Sequence, residues 1–246
     1  FHAYQRGLLT NPNILIAGEP GVGKSATAKT FIYRSVGVFG RWVAIADPKG
    51  EYLPLADALG LSVIKLHPGG TARLNPLDPG PAGRTEGVEE LARRQSEMVA
   101  ALLGSVLHRD LSPAEDAVLG WAVTHLARSG LDEPTLADVA AVMASPTDEM
   151  AAAARTDAVT LSRSADAAIY GIGKLLDRGL RGMFDGRTNV HIDWDGPGVV
   201  LDLSAVHHDP AALTLVMIAA TSWLQAVMAR TDGPRRLQVL DEAWSL

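Results

Sequence analysis

The segment Gly18-Glu19-Pro20-Gly21-Val22-Gly23-Lys24-Ser25 fills every fixed position of the pattern G-x-x-x-x-G-K-[ST]. It follows the apolar run Asn13-Ile14-Leu15-Ile16-Ala17, which reads as a strand, and precedes a helical pattern from Ala26 to Arg34. No other feature restricts the fold so far, because this phosphate-binding loop works only as the turn between a strand and the first turn of a helix. Its glycines let the backbone curl without Cβ clashes, so successive amides and the helix N-terminus face one negative charge. The expected ligand is a nucleoside triphosphate held by Gly18, Glu19, Pro20, Gly21, Val22, Gly23, Lys24, Ser25 and Ala26. Lys24 is expected to reach the β- and γ-phosphates. The Ser25 hydroxyl is expected to ligate Mg²⁺, which takes one or two protein ligands and keeps several waters.

Short apolar runs separated by helices continue the strand-loop-helix beginning: Arg41 to Ala46, then Leu61 to Leu66. This alternation predicts an α/β fold with a parallel sheet and right-handed crossovers. Between Pro68 and Gly83 half of the sixteen residues are Gly or Pro, which predicts an exposed loop leaving the core. Beyond it the pattern turns helical. Val88 to Leu107 has apolar residues at helical spacing, Ser112-Pro113-Ala114-Glu115 is a capping box with proline at its first position, and Pro134-Thr135-Leu136 opens another helix. Alanine-rich helices run on to about Asp177. Strand character returns at Val190-His191-Ile192-Asp193-Trp194 and again at Val199 to Leu203. The reading is a discontinuous nucleotide-binding core, residues 1–84 and 188–246, and an all-α insertion, residues 85–187.

With 246 residues, 47% of them hydrophobic, the chain can bury a sizeable core. The absence of cysteine excludes disulfides and thiolate zinc sites, and cytoplasm is the expected compartment. A net charge of −6 and two short Arg-Arg pairs make no basic stripe, so DNA as a partner gets no support from charge. Ala211 to Ala229 carries no charge over nearly the length of a membrane span, yet it contains Thr214, Thr221, Ser222 and Gln225 and lies between two strand-like runs. It is read as a buried crossover helix, and no transmembrane segment is expected. His207-His208 has no third ligand at regular spacing and reads as a loop. The five tryptophans are scattered and read as core or boundary residues.

The last strand, Leu237-Gln238-Val239-Leu240, ends in Asp241-Glu242. Ligands of open parallel sheets bind at the carboxyl ends of strands, so both acids are expected at the triphosphate. Asp241 would hold Mg²⁺ through its water shell, and Glu242 would orient and polarise the attacking water as catalytic base, with Lys24 as its partner in catalysis. The segment Asp47-Pro48-Lys49-Gly50-Glu51-Tyr52 follows the second strand on the same rim, with Lys49 and Glu51 either on an exposed turn or facing a neighbouring subunit.

Together with Leu74-Asn75-Pro76-Leu77-Asp78, Gly182-Met183-Phe184-Asp185-Gly186 and Asp241-Glu242-Ala243-Trp244, these segments resemble the conjugation-type motor ATPases of the HerA/FtsK superfamily, in particular the TraC-like and VirB-type ATPases of type IV secretion. The resemblance spans nearly the whole chain in the family's order. It implies a RecA-like P-loop core with a parallel twisted sheet flanked by helices, ATP with Mg²⁺, and a ring, typically a hexamer. Secretion or conjugation channel components are the implied partners, at the inner face of the cell membrane. In the family the strand bearing the Asp-Glu pair is followed by further strands carrying a polar sensor and an arginine that completes a neighbour's site. One of those strands would lie between the P-loop strand and the Asp241 strand. The expectation is a core incomplete at its C-terminus, in a chain that opens on Phe1 without a signal peptide and continues past Leu246. The implied role is a motor subunit. Rival readings are a DNA-pumping translocase or coupling ATPase of the same superfamily, and an ATP-gated scaffold without turnover.

Overall fold

The computed structural model describes residues 13–19, 21–79, 87–179, 181–193, 195–228 and 234–243. All six residues of β1 (Trp42–Asp47) are buried, as befits a strand covered on both faces. It lies inside a four-stranded, all-parallel sheet of order β2-β3-β1-β4, with β2 at Ser62–Lys65, β3 at Gly198–Asp202 and β4 at Arg236–Leu240. The architecture is α/β, in keeping with a RecA-like P-loop fold.

The period-two alternation of strand side chains sends each set of residues into a different layer. Val43, Ile45 and Val200 pack with Ile32 and Val36 of α1 (Lys24–Gly37) and Ala56 of α2 (Leu53–Leu59). Trp42, Ala44, Ala46, Val199 and Leu201 point the other way, into a larger core that includes Val216, Met217 and Ala220 of a long helix, Pro210–Met228. That helix carries the uncharged stretch, and packs against β1, β4 and the helix Val88–Leu107. Its apolar surface is consumed by the sheet and its covering layer. Among the described residues no helix is long and apolar enough to cross a membrane.

Between β2 and β3 come six α-helices and no strand among the described residues: α3 (Val88–Leu107), α4 (Pro113–Arg128), α5 (Leu136–Ala144), α6 (Asp148–Ala153), α7 (Ala158–Arg163) and α8 (Asp166–Lys174). A π-helical turn, Leu175–Gly179, extends α8, and Pro210–Met228 is then α9. Two of these helices start where the sequence predicts. At α4 the Glu115 amide donates to Ser112 Oγ and the Ser112 amide to Glu115 Oε2; Thr135 and Asp138 make the same box at α5. Val99, Leu102 and Leu103 of α3 are fully buried and share one core with the sheet face.

Three expectations fail here. Asn13–Ala17 is not a strand: it is irregular and exposed, with Leu15 at 88%. A strand needs a neighbour for its amides and carbonyls, both edges of the central β1 are taken by β3 and β4, and no described strand runs beside 13–17. Val190–Asp193 is likewise no strand, and Trp194 lies outside the described residues. The chain is tied just before this segment: the amides of Arg73 and Asn75 donate to Asn189 Oδ1 (2.7 Å) and Thr188 Oγ1 (3.0 Å), and the Asn189 amide donates to the Arg73 carbonyl (3.1 Å). Asp193 Oδ1 then accepts the amides of Asp195 and Gly196 and turns the chain toward β3. Finally, the Gly/Pro-rich loop is not exposed throughout. Leu74 and Leu77 are buried, and Asn75 ties the loop down by donating to the Pro134 carbonyl and accepting from the Leu77 amide.

Candidate functional site

Gly21 (φ 82°) and Gly23 (φ 90°) adopt left-handed conformations that a side chain would resist, and they deliver the chain into α1 at Lys24. α1 has no side-chain cap and no acid in its first turn, the arrangement that leaves helix N-terminal amides to an anion. The Lys24 ammonium donates to the carbonyls of Gly18 and Glu19, both at 2.9 Å, so the loop closes on its own cation. Ser25 is half-buried beside it, and Pro20 lies outside the described residues.

At the carboxyl rim of the sheet, strand register aligns the acids. Asp47 pairs with Asp202, Ala46 with Leu240, and the Asp241 amide donates to the Ala46 carbonyl (3.3 Å). Asp47 is fully buried, and its carboxylate accepts three amides: Lys49 and Glu51 on Oδ1 (3.3 and 3.0 Å) and Tyr52 on Oδ2 (2.8 Å). Burial nevertheless pushes its pKa above the usual carboxylate value, with Asp202 adding to the rise and the three amides opposing it. The turn from Asp47 to Tyr52 is thereby locked by its first residue.

That turn holds both members of the acidic pair. Tyr52, buried to 1% exposure, places its hydroxyl on Asp241, and burial first and Asp241 second raise the phenol pKa. The Lys49 ammonium ion-pairs with Glu242 Oε1, which raises the lysine pKa. Lys49 therefore faces an acid of its own chain, and Glu51 pairs with Lys29 of α1 at 3.5 Å. Glu242 has φ 53°, a left-handed conformation costing a β-carbon-bearing residue about 1 kcal/mol or more. Its amide donates to Asp241 Oδ1 at 3.0 Å.

Helix α1 and the rim meet through Lys29. Its ammonium lies 5.2 Å from the centre of the Tyr52 ring, which itself touches Asp241. Five residues separate Lys29 from Lys24, about 7.5 Å along the helix. Asp202 and Lys29 escape a motif reading. Asp202 had a signal, an acid ending a parallel strand just as Asp47 does; Lys29 had none beyond its place on α1. His207 and His208 stack at 5.3 Å, tilted, and Trp42 and Trp223 are core residues, while Trp244 lies outside the described residues.

The residue types suit a triphosphate with magnesium: a glycine loop, an uncapped helix start and a lysine bound only by loop carbonyls, with a hydroxyl next to that lysine in the chain and a carboxylate just past the end of β4. Among the described residues no group of three or more His, Asp or Glu gathers as a metal cage, and magnesium held mostly by phosphate and water needs none.

No protein-family model matches the chain, and no curated protein does. Among solved structures it is similar to VirB4 of Thermoanaerobacter pseudethanolicus, with a TM-score of 0.67 and 19% identity over 91% of this chain and 82% of that one. The fold is VirB4-like. At this identity the likeness speaks for the architecture, and residue roles rest on the geometry above.

Proposed function

We propose that this chain is an ATP-hydrolysing motor subunit of a conjugative or type IV secretion-like apparatus. The observation that carries the reading is the convergence of α1, headed by Lys24 and Ser25, and the Asp241-Glu242 pair on one turn, Asp47 to Tyr52. The VirB4-like fold and the motif order support it. In this reading the loop amides and Lys24 bind the β- and γ-phosphates, which displace the Gly18 and Glu19 carbonyls from the ammonium. Ser25 and Asp241 are the residues that would hold Mg²⁺, which when bound neutralises phosphate charge. Glu242 accepts a proton from the attacking water as the water oxygen bonds to the γ-phosphorus, and the bond to the bridging oxygen breaks to give ADP and phosphate.

Comparing steady-state ATP turnover of the full-length wild type with Glu242→Gln tests the proposal. A fall of about a hundredfold or more is expected from the loss of a general base. Equal, near-zero rates would instead identify a nucleotide-gated scaffold.

A further inference from the structure

The Asp47–Tyr52 turn carries contacts that the proposed roles do not use. Its backbone is pinned by the buried Asp47 carboxylate, so a side chain leaving it starts from a fixed base. Lys49 leaves it toward β4 and engages Glu242 Oε1, while Tyr52, three residues on, takes Asp241. Glu242 stands one residue beyond Asp241, just past the end of β4, where its own backbone is left-handed and no ladder hydrogen bond restrains it. Its amide is turned onto Asp241 Oδ1, and its carboxylate, beside that second acid, is met by a cation. Lys49 is that cation.

We propose that Lys49 is a positioning residue for Glu242, fixing the base on the rim from the locked turn. The inference rests on the reading of Glu242 as the hydrolytic base. The charged surroundings agree with it. Asp241, Glu51, Asp47 and Asp202 make this rim acidic, and Lys29, the other lysine at the turn, is already committed to Glu51 and the Tyr52 ring. The Lys49 side chain is 36% exposed, so replacing it opens no cavity in the core.

The test is a kinetic split with a conservative rescue, in the full-length protein. Lys49→Met lowers kcat roughly tenfold, a fraction of what a general base itself contributes, and leaves KM and fluorescent-nucleotide affinity unchanged. Lys49→Arg restores most of the loss, and Lys49→Met adds nothing to Glu242→Gln because the group it positions is gone. An unchanged kcat, or a Lys49→Met loss that multiplies with that of Glu242→Gln, overturns the proposal. Should the wild type turn over no ATP, the motor reading falls by itself, and denaturant unfolding of the same single and double variants judges the pair. Non-additive losses then support the contact, and additive losses sink it.

Discussion

A single buried carboxylate organises the rim. Asp47 accepts three amides of the turn that follows it, and no other group in that turn can replace it. Asp47→Ala should therefore strand those donors and cost about 2–3 kcal/mol, read as a lower denaturant midpoint at constant slope. Lys24 makes the complementary case, a residue whose loss should spare the fold. Its side chain bonds only to exposed loop carbonyls, so Lys24→Ala should leave the midpoint in place. Triphosphate affinity should fall by about tenfold to a hundredfold, the worth of hydrogen bonds to a charged group, in a titration with a fluorescent nucleotide.

Elements here are fixed by their ends. β3 begins at Gly198, where a Cβ would sit 2.1 Å from the Val43 carbonyl oxygen of the adjacent β1. Gly198→Ala must push β3 off β1, and a loss of about 3 kcal/mol in unfolding free energy is expected. Helix α4 is fixed by Glu115, which closes the capping box and accepts two hydrogen bonds from Arg109, at 2.8 and 2.7 Å. The Arg109 guanidinium, chiefly, draws its pKa down from 4.5 to about 2. A lowered carboxyl pKa adds its full stability only while the group is ionised in both states, so the benefit is full above pH 4.5 and drains away as pH falls toward 2. The difference in urea midpoint between wild type and Glu115→Gln should shrink over that window. A gap that stays constant with pH would count against the ion pair.

On the scale of the whole molecule, one face of the sheet is covered by α1 and α2, and the other by α9 and the helices packed upon it, and neither layer caps the strands' carboxyl ends among the described elements. Those ends carry acids, and the chain as a whole has a net charge of −6. A motor that grips a phosphate backbone needs the opposite sign along its track. ATP turnover should accordingly be indifferent to added double-stranded DNA at low salt. Stimulation that fades as salt rises would move the reading to a DNA translocase.

The sequence by itself determined the elements whose signals are local. Val88–Leu107 was legible from helical spacing, α4 from Ser112-Pro113-Ala114-Glu115, and β1, β3 and β4 from short apolar runs, those of β1 and β4 followed by an acid. Glycine spacing marked the loop at Gly18 to Ser25, since positive φ at Gly21 and Gly23 is a backbone demand written in residue type. Strand partnership was not local. Asn13–Ala17 has the composition of a strand and Val190–Asp193 its alternation, yet a strand exists only where a neighbour accepts its hydrogen bonds, which is a property of the assembled sheet. Only the tertiary structure brought Asp202 alongside Asp47, Lys29 to Tyr52, and Lys49 to Glu242, because those pairs are tens to nearly two hundred residues apart and meet through parallel register and helix packing.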